Sequence, residues 1–282
     1  MNKILLVAAI LLSSFGFIAC SSSDQIKPKE TANNTVDTTN KTPTAPNEPK
    51  QEVPILCYHN IKKELGNHSP DLTTTVDVFT AEIKMLADSG YHTILPDDYY
   101  NYLTKGSSLP SKPIMLTFDD SREEHFSIAA QEMKKYSFKG VFFIMTVAIN
   151  KPNYITREQI KALSDEGNTI ACHTYDHQFA TRIKGDEWIK QLDKPKQLLE
   201  QITGKPINYF AYPFGEWNDS AIIELKKHGI TAAFQLSKPL SNNDPLYTLR
   251  RTLVPGNWSL NRLDRTIKTI FNHKILIKPE DR

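Results

Sequence analysis

Cysteine is scarce, with three residues in a chain of 282, so a disulfide framework of the kind that staples small secreted domains is excluded. Charge of one sign is missing too. The formal net charge is +2, and removing Met1–Ala19, which carries Lys3 and no acid, leaves +1. No basic run of the sort that follows phosphates stands out, so nucleic acid is not expected as a partner. An apolar stretch of the roughly 20 residues that span a bilayer is also absent. The longest such run, Ile4–Leu12, is too short and passes into small residues. No short-period repeat breaks the chain into units. What is present is a core-forming composition, 39% hydrophobic with 10% aromatic residues, long enough for one large α/β domain.

The N-terminus reads as an export signal. Asn2-Lys3 is a short positive segment, Ile4–Leu12 is apolar, and Ser13–Ala19 leads to Cys20. Phe17-Ile18-Ala19-Cys20 resembles a bacterial lipobox, with Phe17 where leucine is usual, which implies cleavage before Cys20 and lipidation of its thiol. Residues 21–51 are Ser, Thr, Asn, Lys and Pro with almost no large apolar side chain, the composition of a disordered tether. The expected organisation is a signal peptide over 1–19, a lipidated cysteine and tether over 20–51, and one domain over 52–282. Such a protein is exported and held to the cell membrane by its lipid, facing the cell wall or periplasm. Cys57 and Cys172 remain, an even pair that raises a disulfide. Both fall within strand patterns, and they read as buried free thiols.

From Glu52 onward, strand and helix patterns alternate. Strands are expected at Val53–Tyr58, Tyr91–Leu95, Ile114–Phe118, Gly140–Met145, Thr169–Cys172, Ile207–Tyr212 and Ile230–Gln235, with a weaker one at Leu246–Leu253. Helices are expected at Val78–Ser89, Pro96–Thr104, Arg122–Tyr136, from the capping box Thr156–Gln159 to Gly167, at Glu187–Thr203 with Pro195 interrupting, Asp219–His228 and Leu260–Phe271. About seven β-α units in one domain imply a parallel barrel or a doubly wound sheet.

The ends of these strands carry the chemistry. Ile114–Phe118 runs apolar into Asp119 and Asp120, two like charges that conflict unless a cation relieves them. Val53–Tyr58 is followed by His59, Thr169–Cys172 by His173 and, four residues on, His177, and Ile207–Tyr212 by Pro213-Phe214-Gly215. In a β/α barrel these positions share one mouth. Two imidazoles and a carboxylate suit a borderline divalent ion. Each pair alone is weak: H-x-x-x-H is commonly a surface or core pair, and Asp120 could cap the helix that follows.

Taken together, Thr117-Phe118-Asp119-Asp120, His173-x-x-x-His177 and Tyr212-Pro213-Phe214-Gly215 resemble the successive motifs of NodB-like polysaccharide deacetylases, the family 4 carbohydrate esterases, over roughly Pro54 to Phe234. The resemblance implies a distorted (β/α) barrel of about seven strands. It implies metal-dependent removal of N-acetyl groups from N-acetylglucosamine-containing polymers, with Asp120, His173 and His177 as metal ligands and Asp119 as catalytic base. Zinc is the default ion, with Co2+, Mn2+ or Fe2+ as alternatives. The Phe214 N–H, with Tyr212 and Pro213 beside it, would face the oxyanion or substrate. The family's acid histidine usually lies near the C-terminus, where only His273 is available in a poorly matching context. Leu56-Cys57-Tyr58-His59 looks like that element moved to the front, as in the permuted branch that includes poly-N-acetylglucosamine deacetylases, which points to His59 as general acid. The arginine that normally orients the base is missing, since Ala211 stands in its place. Arg250 and Arg251 are the candidates to replace it, and a strand would turn only one of them inward. Ser121 stands where glycine is usual, and because serine is small and a good helix N-cap the change is expected to be tolerated. His68, His92, His125 and His228 read as surface or structural. Tyr175, Trp217 and Trp258 fit either sugar stacking or the core. The expected partner is a glycan polymer and the expected state a monomer. A glycan-binding protein that has lost catalysis, and an amidase acting on a small molecule or peptide, stay open as alternatives.

Overall fold

The structure is a computed structural model, and it describes residues 48–278. The export signal, Cys20 and nearly all of the tether lie outside the described residues. Seven parallel strands form the central sheet in the order Ala232–Phe234, Tyr209–Ala211, Thr169–Cys172, Val141–Ile144, Pro113–Phe118, Ile55–Tyr58 and Thr252–Leu253. His92–Thr93 adds a short parallel pairing at the start of Pro113–Phe118. The sheet curls into a half-barrel, and residues 249–253 lie across its open side. Leu249 bridges to Phe234 at one edge, while Thr252 and Leu253 pair with Leu56 and Cys57 at the other. The (β/α)-barrel class expected from the alternation is therefore the one observed.

Period-2 alternation divides the sheet's side chains between two cores. Leu56, Tyr58, Leu116, Phe118, Phe142, Ile144, Ile170, Cys172, Phe210 and Tyr212 pack outward against Phe79, Ile83 and Leu86 of the Val76–Asp88 helix and their equivalents on the other helices. Ile55, Met115, Val141, Phe143, Ala171, Tyr209, Ala211 and Phe234 face inward with Tyr99 and Leu103 of the Pro96–Lys105 helix. The same parity separates the two cysteines. Cys57 shares the inward parity of Ile55, Cys172 lies in the outward core, and both are free and buried. The two thiols therefore belong to opposite faces of the sheet, which explains why the pair forms no disulfide.

Local signals set most helix starts. Thr75, Asn218 and Ser259 each accept a backbone N–H three residues on, and Thr156 and Gln159 form the reciprocal box read from the sequence. Three local differences from expectation stand out. Where one helix was expected over Arg122–Tyr136, a π-helical turn at His125–Ala130 leads into Gln131–Lys134. A second π turn, Ile189–Asp193, directly precedes Lys194–Thr203, so the chain meets the missing N–H of Pro195 by widening the preceding turn. The weak strand expected over Leu246–Leu253 is only Thr252–Leu253, after a 3-10 turn at Pro245–Tyr247. Two small pairings lie outside the expected elements. Asn60–Lys62 runs parallel to Thr73–Thr75, and Lys50–Gln51, expected in the tether, pairs antiparallel with Lys274–Ile275.

Candidate active site

Register brings the motif residues together. Tyr58 pairs with Phe118 and Cys57 with Thr117, so the next residues, His59 and Asp119, leave adjacent strands at one level. Asp119 continues the inward parity of Met115 and Thr117. Asp120 should face outward by the same rule, but its φ of +71°, followed by +58° at Ser121, turns the chain back toward the site. Left-handed backbone at Thr174 (φ 64°), His177 (φ 65°) and Phe214 (φ 62°) surrounds the same spot. Non-glycine residues held this way cost on the order of 1–3 kcal/mol each and persist where the surrounding structure fixes them, commonly at functional sites. Ser121 does not cap the following helix, nor does Asp120. The Ser121 Oγ instead accepts the Met145 N–H at 2.8 Å, tying the turn to the neighbouring strand end.

Asp120, His173 and His177 present ligand atoms that all lie within 4.8 Å of one another. The Nε2 atoms of His173 and His177 are 3.6 and 3.4 Å from Oδ1 of Asp120. His173 Nδ1 lies 2.8 Å from the Ala211 carbonyl. A carbonyl only accepts, so Nδ1 carries the proton and Nε2 offers its lone pair. Both His173 Nε2 and Asp120 Oδ1 are buried without a hydrogen-bond partner. Buried polar atoms left this way are costly, and a divalent cation between them would satisfy both. These residues therefore fit a metal. Burial opposes ionisation of Asp120, but the neighbouring His173 imidazole outweighs it and holds the carboxyl at about 2. Burial, reinforced by His173, pushes His177 down to about 4, keeping it the neutral ligand a metal needs. The loop is propped from behind, because Thr174 Oγ1 accepts the His177 N–H at 2.9 Å. Gln191, on the second π turn, accepts the Tyr175 N–H and donates to Asp176 and Gln178.

Asp119 does not join that triad. Its side chain is 3% exposed, and both oxygens accept from Arg251, Nη1 to Oδ1 and Nη2 to Oδ2, each at 2.7 Å. Burial alone would raise its pKa, and the Arg251 guanidinium overrides that, holding the carboxyl well below the ordinary range. Arg251 is itself fixed by Thr117 Oγ1 at 3.2 Å and by the Gln235 carbonyl at 3.2 Å. The orienting cation missing from the Ala211 position thus comes from the segment that lies across the half-barrel's open side. Of the two arginine candidates, Arg251 meets Asp119 and Arg250 pairs with Glu52, Nε to Oε1 at 3.2 Å, because neighbouring residues of an extended segment point to opposite sides. His273 also lies beside Glu52, at 3.4 Å, ahead of the strand that ends in His59.

His59 places Nε2 3.9 Å from Asp119 Oδ2, and burial lowers its pKa. Its carbonyl accepts from Nε2 of the buried His125 at 2.5 Å, which gives the first π turn a role in holding the loop. That support, the Thr117 contact to Arg251 and the Cys57 thiol beside His59 were not anticipated. Only the inward parity of Cys57 and Thr117 could have signalled two of them.

At the Pro213–Gly215 turn, Tyr212 and Pro213 are buried, while Phe214 is 51% exposed. Its ring stacks on Phe179 at 4.0 Å and meets His177 edge-on at 4.4 Å. The exposed aromatic wall beside the candidate metal site is therefore Phe214. Trp217 and Trp258, the tryptophans weighed as sugar platforms, are partly buried against the outer core.

Comparison with known proteins agrees with this geometry. A family model described as polysaccharide deacetylase matches residues 106–233. YxkH of Bacillus subtilis, which carries the same family description, is 28% identical over 207 residues, covering 73% of this chain and 72% of that protein. A poly-beta-1,6-N-acetyl-D-glucosamine N-deacetylase of Staphylococcus aureus is 26% identical over 215 residues, covering 71% and 72%. Among solved structures, the Streptococcus pyogenes deacetylase PplD in complex with acetate superposes with a TM-score of 0.71 at 24% identity, covering 78% of this chain and 99% of that one. That likeness carries the fold.

Proposed function

We propose that this chain, which belongs to the polysaccharide deacetylase family, hydrolyses N-acetyl groups of an N-acetylglucosamine-containing cell-surface polysaccharide, an exopolysaccharide or peptidoglycan, and releases acetate. One observation carries this reading. A metal-competent Asp120/His173/His177 cluster adjoins a separate carboxylate, Asp119, kept ionised by Arg251. Three protein ligands are the number typical of catalytic rather than structural sites. The bound divalent ion, zinc in our proposal, would polarise water and the acetamide carbonyl.

The chain's own residues do the rest. Asp119, ionised and pinned on both oxygens, is the base that takes the proton of the attacking water. The backbone at Phe214 faces the developing oxyanion, a contribution typically worth about 2.7–4 kcal/mol for one donor. As the C–N bond breaks and the electron pair goes to nitrogen, His59 delivers the proton that lets the sugar amine leave. Phe214 on Phe179 offers an apolar face for a sugar ring. The missing motif arginine was the sole support for a catalytically idle glycan-binding protein, and Arg251 removes it.

We further propose that cleavage before Cys20 and lipidation of its thiol hold the domain at the membrane, with residues 21–51 as the tether. A Cys20→Ala variant should then appear unlipidated and released, as read by the mass of the mature N-terminus. The enzymatic reading is tested by measuring acetate release from poly-β-1,6-N-acetylglucosamine, peptidoglycan and chitin oligomers with the metal-loaded domain. Release from at least one, lost in Asp119→Asn while the fold is retained, supports it. No release from any of the three overturns it.

A further inference from the structure

Cys57 sits within reach of both the base and the acid, and neither role assigned above uses it. Its Sγ lies 3.6 Å from Oδ2 of Asp119 and 3.9 Å from Nδ1 of His59, and the residue is fully buried. Hydrogen-bonding capacity decides where the hydrogens go. An ionised carboxylate only accepts, and the bidentate contact with Arg251 keeps Asp119 ionised. The only hydrogen available between Sγ and Oδ2 is therefore the thiol's own, and Cys57 donates it. A thiol that has given its single hydrogen to Asp119 turns only sulfur lone pairs toward His59. Nδ1 must then be the nitrogen that carries the proton.

We propose that Cys57 is a positioning residue for the deacetylase reaction, a thiol bridge that runs Nδ1–H of His59 to Sγ and Sγ–H to Oδ2 of Asp119 and thereby fixes the tautomer of the acid. The inference rests on His59 being that acid. With Nδ1–H fixed, Nε2 turns an open lone pair toward Asp119 Oδ2 across 3.9 Å. The proton balance follows directly. Asp119 takes a proton from water on Oδ2, Nε2 accepts it to give the imidazolium, and Nε2 returns it to nitrogen as the C–N bond breaks. His59 ends as the Nδ1–H imidazole it started as. In the opposite tautomer Nε2 would already carry a proton facing Oδ2 and could not accept the one Asp119 takes from water, blocking that transfer. Each sulfur contact is individually weak. Their effect is one of selection, because the two tautomers of a histidine lie close in energy and the partner of one nitrogen decides the state of the other.

The test uses the metal-loaded domain and its Cys57→Ala and Cys57→Ser variants. Long-range 1H–15N correlation of the His59 ring near neutral pH should report Nδ1–H in the wild type and in Cys57→Ser, whose hydroxyl can donate and accept in the same pattern. Cys57→Ala should report Nε2–H. Loss of a positioned acid–base group costs about 10²–10⁴ in rate, and loss of its tautomer control should cost about tenfold in kcat with KM little changed. Serine should restore kcat to within a few-fold. An unchanged His59 tautomer in Cys57→Ala overturns the proposal, as does equal loss of kcat in the alanine and serine variants, the result expected of a packing role. The tautomer is read without turnover. A chain that released no acetate would therefore defeat the enzymatic reading and leave this measurement standing on its own.

Discussion

Replacing Arg251 with leucine is the most demanding perturbation of the site. The guanidinium makes two 2.7 Å charge-assisted bonds to Asp119 with both side chains almost wholly buried. Removing one partner of such a pair typically costs about 3–5 kcal/mol, because the survivor is left charged and desolvated. Asp119 has one escape, which is to take a proton. In the wild type its pKa is depressed, so its contribution to stability is present above the unfolded value and is lost only as the pH falls through the folded one. Without Arg251, the burial that already opposes ionisation acts unbalanced and the pKa rises. A protonated Asp119 is no base. The expected result is a fall in kcat/KM of about 10²–10³ at neutral pH, within the range for a lost general base. The acidic limb of the profile should also move upward, so that activity partly returns as the pH rises. Arg251→Lys should fall between the two, since an ammonium reaches only one oxygen well. The double variant Arg251→Leu/Asp119→Asn should recover much of the lost stability in urea melts, the buried charge being gone, but none of the activity. Acetate release across pH, paired with the melts, checks all of these. An Arg251→Leu enzyme within twofold of wild type, with its acidic limb unmoved, would refute the reasoning.

Other predictions concern the metal, the core and the turn. Chelation should abolish acetate release, and His173→Ala should lower the metal content of the purified protein, read by elemental analysis. His59→Ala should keep its metal. Glu82 is fully buried beneath Tyr58, whose hydroxyl donates to it at 3.1 Å, and burial raises its carboxyl to about 8. A folded pKa above the unfolded one means that stability is full below about 4.5 and declines as the pH rises toward 8. Glu82→Gln should flatten that decline, gaining on the order of a few kcal/mol over wild type at alkaline pH. Denaturant midpoints from pH 5 to 9 measure it, and parallel curves would contradict the assignment. Gly215 holds φ +70°, and a Cβ there would lie 2.8 Å from the Leu236 backbone nitrogen. Gly215→Ala should therefore displace the Phe214 turn and lower both the melting temperature and the activity.

The sequence by itself determined the repeating β-α pattern, the strand ends that carry Asp119, Asp120, His173 and His177, and the parity that turns only one of two adjacent arginines inward. These are local properties, set by apolar runs and by the period of two along a strand. It did not say which arginine that was. The answer depends on where residues 249–253 lie against Leu56, Cys57 and Phe234, a pairing between segments far apart in the chain. The left-handed backbone at Asp120 and Ser121 likewise overrode the helix-capping roles that their residue types favour locally, because the neighbouring strand end at Met145 claims the Ser121 hydroxyl. His125 reads as any helical histidine until the π turn brings it beneath the His59 carbonyl. Cys57 reads as a small buried hydrophobe until strand register sets it between acid and base. Chain-local chemistry named the groups proposed to react. Which neighbours hold them, and in what protonation state, was decided by contacts that exist only once the half-barrel has formed.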